Sequence, residues 1–212
     1  MTVSAKEVMR LRKITGLGMM ECKKALVEAE ADMDKAVEIL RTRQGVKADK
    51  KQGRVTAEGV VMAQVSADGT QAVMMEVNCE TDFVSRDKNF LDFTNVLVSQ
   101  AMSQNFSKSS DLLSSSLAES DKTLEEERKE LIAKIGENIQ LRRLSSLSGA
   151  GIASYVHGNR IGVLVKLNKN NLDLAKEIAM HIAATNPQAI SADDLDKDVL
   201  ANLSKYVMKR KN

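Results

Sequence analysis

Gly59-Val60-Val61-Met62-Ala63-Gln64-Val65-Ser66 and Gln71-Ala72-Val73-Met74-Met75-Glu76-Val77-Asn78 flank the short stretch Ala67-Asp68-Gly69-Thr70. Both runs are rich in Val and Met with a period near two, and Asp-Gly between apolar runs is a hairpin signal. The chain on either side repeats with the helical period instead, so hairpins set among helices give an α+β class. The second strand runs out into Cys79-Glu80-Thr81-Asp82-Phe83-Val84, an acidic turn carrying one large aromatic. The chain has four phenylalanines and no tryptophan. Burying such a side chain is worth roughly 1.5–3 kcal/mol. Phe83 therefore either folds back inside or is offered to a partner.

Upstream, residues 4–43 read as three short helices. The first runs from Ser4 to Ile14 with Val8 and Leu11 on one side, and stops at Thr15-Gly16-Leu17-Gly18. The second begins at Met19, and the third near Asp32 or Asp34. The glycines suit a tight helix-to-helix turn, because glycine reaches left-handed angles without strain. Gln44 to Glu58, with Lys47, Lys50, Lys51 and Arg54 and little apolar content, reads as an exposed basic linker, with partial helix left open.

Downstream, Asp87–Gln104 has Phe90, Phe93, Leu97 and Ala101 at helical spacing. Residues 107–120 are serine-rich and read as a loose connection. Asp121–Ile135 is a charged helix that Gly136-Glu137-Asn138 stops, and Ile139–Leu147 reads as a strand. The pattern then recurs: Ile152–His157, a Gly158-Asn159 turn, Arg160–Leu167, and a helix from Leu172 to Ala184 ended by Pro187. Strand, turn, strand, helix twice over suggests two related halves. A short helix is expected from Asp193.

Composition narrows the function. Of 212 residues, 31 Lys and Arg face 29 Asp and Glu, a net charge of +2 that makes no general case for nucleic acid. Few aromatics are available for base stacking. Met1-Thr2-Val3-Ser4-Ala5-Lys6-Glu7 lacks a signal core, and no run approaches ~18 apolar residues. A cytoplasmic protein without membrane contact is the expectation. Cys22 and Cys79 are too few for a disulfide scaffold and have no metal-ligand spacing, so both read as packed thiols. His157 and His181 lie far apart with no nucleophile motif, and neither a phosphate loop nor a dinucleotide fingerprint is present. His181 reads as packed on an apolar helical face, His157 as exposed at a turn. No enzyme, cofactor or metal is expected; a binding function fits better.

Four motifs carry a resemblance. They are Thr15-Gly16-Leu17-Gly18-Met19-Met20-Glu21-Cys22-Lys23-Lys24-Ala25-Leu26, Glu76-Val77-Asn78-Cys79-Glu80-Thr81-Asp82-Phe83-Val84, Lys134-Ile135-Gly136-Glu137-Asn138, and Ala179-Met180-His181-Ile182-Ala183-Ala184. In order and spacing, from about residue 4 to 200, the chain closely resembles the bacterial translation elongation factor Ts family. The resemblance implies a guanine nucleotide exchange factor that releases GDP from elongation factor Tu, met in its GDP and nucleotide-free forms. It implies that Asp82 and Phe83 insert near the nucleotide and magnesium site, with Thr81 and Val84 holding the loop. It further implies that Arg12, Met19 and Met20 grip the same GTPase domain. Ile135 and His157 would touch another domain of the partner.

The fold expected is thus an N-terminal three-helix bundle like a ubiquitin-associated (UBA) domain, followed by a core of antiparallel hairpins and helices in two related halves. The divisions are 1–44 for the bundle, 45–58 for the basic linker, 59–148 for the first core subdomain, 149–200 for an incomplete second one, and 201–212 for a tail. Longer family members continue past the region matching Asp193–Leu200, so a C-terminally short member with an exposed sheet edge is expected, and self-association is one way to cover that edge. Residue by residue, alternatives stay open: Asp82 as a helix N-cap, Ile135 as core, Arg12 as solvated surface, and at least one of Met19 and Met20 exposed. The bundle taken alone also fits a peptide- or ubiquitin-like-binding adaptor, for which the Thr81-Asp82-Phe83 loop would have no use.

Overall fold

The computed structural model describes residues 3–117, 121–195 and 200; the expected tail at 201–212 lies outside the described residues. Helix α1 (Ala5–Thr15) starts on a capping box in which the Ser4 hydroxyl accepts from the Glu7 amide and Glu7 reaches back to the Ser4 amide. It ends on Gly16 at φ 70°, the left-handed cap that glycine supplies. Helix α2 (Met19–Glu28) follows at once, and α3 (Met33–Asp49) starts on an Asp32 cap. Leu11, Cys22, Ala25, Leu26, Ala36 and Leu40 close the bundle's own core.

Helix α3 does not stop at the bundle. It runs through residues 45–49 because Ala48 is buried in the main core and Asp49 pairs with Lys129 at 3.0 Å. Lys51, just beyond, donates to the Gly136 carbonyl. The basic stretch thus begins as a packed helix.

Strands β1 (Glu58–Val65) and β2 (Gln71–Cys79) form the hairpin, with Val60 opposite Val77 and Met62 opposite Met75. The Asp68 carboxylate accepts from the Ser66 and Thr70 hydroxyls and from the Thr70 amide, which closes the turn. After β2 come α4 (Asp82–Ser85), α5 (Lys88–Ser103), α6 (Ser109–Ser114) and α7 (Leu124–Ile135). Strand β3 (Gln140–Ser148) then returns beside β2, giving a three-stranded antiparallel sheet with β2 central. Val73, Met75 and Val77 face Phe90, Phe93 and Leu97 of α5 and Ile132 of α7 in one buried cluster. The serine-rich stretch contains helix α6, where a loose connection is expected. Its cause is tertiary: Leu112 is fully buried in that same cluster.

The second half is β4 (Ile152–His157), β5 (Ile161–Lys166) and α8 (Leu172–Thr185). Its hairpin docks on the first sheet, where the Val61 amide donates to the Asn159 carbonyl at 2.7 Å. Gly162 permits that approach: a Cβ there would stand 2.5 Å from Val61 Cγ1 and 2.8 Å from Met74 Sδ. Helix α8 buries Ala175 and Ala179 on the hairpin and ends at Asn186, φ 45°, just before Pro187. His181 is exposed, contrary to its expected packing, because the inner stripe runs through Ala175, Ile178, Ala179 and Ile182. Of the helix expected from Asp193, the described part is a short 3-10 turn, Ala192–Asp194, and residues 196–199 lie outside the described residues. No helix among the described residues is long and apolar enough to cross a membrane.

Candidate functional site

The turn after β2 resolves the choice open for Phe83. Its ring is 82% exposed, while Val84 beside it is 8% exposed and Ser85 is buried. Successive helical residues lie about 100° apart, so a single turn that plugs Val84 and Ser85 into the core must send Phe83 outward. Left in water the ring forgoes the roughly 1.5–3 kcal/mol that burial contributes, so the turn presents apolar surface that a partner could cover.

That outward turn is held firmly. The Ser85 amide donates to the Thr81 carbonyl, and the Ser85 hydroxyl to the Asp82 carbonyl at 2.9 Å. The Asp87 amide donates back to the Val84 carbonyl, joining α4 to α5. Asp82 is the first helical residue; the cap position belongs to Thr81, so the N-cap reading of Asp82 moves by one residue. The Asp82 carboxylate is half-exposed and pairs with Arg86 at 3.2 Å.

Beneath the turn lies a cross-clamp. Glu137 accepts from the amides of Glu80 and Thr81 at 3.1 and 3.0 Å and from the Thr81 hydroxyl at 2.7 Å. In return Glu80 accepts from the Asn138 amide at 2.7 Å. The Asn138 side chain is fully buried and donates to the carbonyls of Gln52 and Arg54, which fastens the chain between α3 and β1. Burial and the neighbouring Arg54 charge lower the Lys51 pKa from its ordinary value. Cys79, at the strand end, has its thiol pushed up to about 12, chiefly by burial and then by the charges of Glu137 and Glu58.

The α1–α2 turn joins this region through Lys134. A Cβ on Gly16 would sit 3.6 Å from Lys134 Cε, and Lys134 donates to Asn89 Oδ1 at 2.6 Å. Asn89 in turn donates to Asp87, the cap of α5, and that bond leads the causes holding the Asp87 carboxyl below its usual range. Arg12, Met19 and Met20 flank the turn, all exposed, Met20 at 63%. Both methionines point outward, where at least one was expected to. The bundle's core is complete without them.

The two remaining site residues sit elsewhere. Ile135 is half-buried against the main core at the end of α7. His157 is exposed at the β4–β5 turn, where its Nδ1 lies 3.2 Å from the Tyr155 hydroxyl and the two rings stack. Reasoning from sequence missed Glu137, Glu80, Asn138 and Lys134. Their roles rest on contacts across 45 to 86 residues of chain. The one signal available was the run Lys134–Asn138 itself, read as a helix stop and as part of the resemblance, with a role given only to Ile135. Among the described residues, no three His, Cys, Asp or Glu side chains could hold a metal ion.

Comparison with known proteins bears on the whole chain. A family model described as Elongation factor TS matches residues 80–212. A protein named Elongation factor Ts from Hahella chejuensis is 56% identical over 94% of this chain and 68% of its own length. One from Teredinibacter turnerae is 48% identical over 99% of this chain and 70% of its own. A third, from Psychromonas ingrahamii, is 48% identical over 94% of this chain and 67% of its own.

Proposed function

The chain belongs to the elongation factor Ts family, and from that premise we propose that it promotes GDP release from elongation factor Tu by presenting Phe83, with Asp82 beside it, near the nucleotide and magnesium site. The observation that carries this reading is the 82% exposure of a phenylalanine on a turn held by buried neighbours. Such a ring is ready to wedge without first being ordered, and preorganisation of that kind lowers the cost of association.

Energetics call for more surface than Phe83 alone. Exchange is a reciprocal coupling, in which the factor weakens GDP as much as GDP weakens the factor. A thousandfold loss of nucleotide affinity needs about 4 kcal/mol. One phenylalanine, worth roughly 1.5–3 kcal/mol when buried, does not supply that. Arg12, Met19 and Met20 on the bundle provide the second grip, and methionine's flexible thioether suits an adaptable contact. Ile135 and His157 meet another domain of the partner, in its GDP and nucleotide-free forms alike. Among the described residues the β4–β5 sheet has two strands, which supports self-association through its free edge as a further contact.

Stopped-flow release of fluorescent GDP from elongation factor Tu tests the proposal. Acceleration by this chain, lost in Phe83→Ala, is the expected result. A release rate the same with and without the chain overturns it.

A further inference from the structure

Strand β2 ends at Cys79, so the amides of Glu80 and Thr81 leave the ladder and need other acceptors. A threonine at a helix N-cap ordinarily supplies its own side-chain oxygen to the first turn. Thr81 does not: α4 has no side-chain cap bond, and the Thr81 hydroxyl is turned to Glu137 instead. The turn that bears Phe83 is therefore held from outside, by a carboxylate 56 residues further along the chain. A carboxylate is suited to the task. It accepts several donors at once, and charge-assisted bonds are about twice as strong as neutral ones.

We propose that Glu137 is a positioning residue for nucleotide exchange, whose carboxylate sets the exit angle of the turn and so the placement of the Phe83 ring. Three donors of residues 80 and 81 converge on it. The return bond from Asn138 to Glu80, and the grip of Asn138 on Gln52 and Arg54, prevent either side of the clamp from sliding. The hydrogen bonds of Glu137 go to residues 80 and 81, at the base of the turn, so it acts through the turn. This rests on the exchange-factor reading. It adds that a wedge needs a fixed base, because a ring on a loose loop meets its target in only a fraction of encounters.

The test uses Glu137→Ala and Glu137→Gln in the full chain, with two readouts. In the free protein, Glu137→Ala should speed hydrogen exchange at the Glu80 and Thr81 amides by about tenfold, equivalent to about 1.4 kcal/mol, while core amides such as Val73 and Leu97 keep their protection. In GDP release from elongation factor Tu, the same variant should lower the maximal rate by about tenfold and leave the half-saturating concentration within about twofold, since the wider interface is untouched. Glu137→Gln keeps an oxygen for the two amides and can donate to the Thr81 hydroxyl, so it should restore most of both. Wild-type amide protection in Glu137→Ala overturns the proposal, as does an unchanged maximal rate or a loss equal in the two variants. If the wild-type chain fails to accelerate release, the exchange-factor reading falls. The amide measurement then decides alone whether Glu137 fixes the turn.

Discussion

Lys134 donates to Asn89 Oδ1 at 2.6 Å, and the stem of the same lysine runs past Gly16. One side chain at the end of α7 thus bonds the start of α5, next to the Phe83 turn, and passes close to the turn joining α1 to α2. Together with the Lys129–Asp49 pair at 3.0 Å, this ties the bundle to the body that bears the aromatic turn.

Gly16 and Gly45 predict opposite signs for one substitution. Gly16 has φ 70°, and Gly16→Ala meets nothing nearer than 3.6 Å, so its cost is backbone strain alone. That cost is about 1 kcal/mol. Gly45 lies inside α3 with open space around it, and Gly45→Ala should stabilise by roughly 0.5–1 kcal/mol. Urea midpoints of the two variants should move in opposite directions.

Phe83 and Phe90 separate function from stability. Phe83→Ala should change unfolding free energy by less than about 0.5 kcal/mol, as exposed positions do, while slowing GDP release strongly. Phe90 is fully buried, and Phe90→Ala should cost about 3–5 kcal/mol. Thermal melts beside release traces distinguish the two.

Cys79 should resist alkylation in the folded protein. Its thiol is buried and its pKa is raised to about 12, so the reactive thiolate is scarce at pH 8. Because the folded pKa lies above the unfolded one, this group's contribution is complete below the unfolded value and fades as pH rises toward about 12. Iodoacetamide at pH 8 should label Cys79 only when urea unfolds the chain. Prompt labelling of the native state would contradict the burial.

At the acid end the capping carboxylates decide. Asp87 is held below its usual pKa, first by Asn89, and Glu126 below its own, first by the Thr123 amide. Depressed carboxyls contribute above their unfolded pKa and lose that contribution as pH falls through the folded one. Melting temperature should thus be flat above about pH 5 and fall below about pH 4. Asp87→Asn should shrink that acid limb, and an unaltered limb would exclude Asp87 as a source.

Local features were legible in the sequence. The Asp68-Gly69 turn, the Gly16 and Gly136 helix stops and the stripe Phe90, Phe93, Leu97, Ala101 all depend on residues within a few positions of one another. At Thr81–Val84 the sequence showed a phenylalanine just after the acids Glu80 and Asp82, a poor setting for a core residue, and the ring is indeed exposed. Features set by distant partners were not. Helix α6 forms because Leu112 finds the core, and α3 runs on because Ala48 does. His181 faces water because α8 turns its alanines inward. Glu137 stood in the sequence only as part of a helix stop and a family motif, and only the arrival of residues 80 and 81 gives it three donors.

The distance along the chain between Thr81 and Glu137 sets an order of events during synthesis. A ribosome makes Phe83 while its anchor is still 54 residues from being translated, counting from 83 to 137. Until that glutamate emerges, the turn has only its local bonds among residues 81 to 87 to aim the ring. The finished bundle comes first, the sheet is completed by β3 only afterwards, and the working tip becomes rigid at nearly the same moment as the scaffold that must hold it.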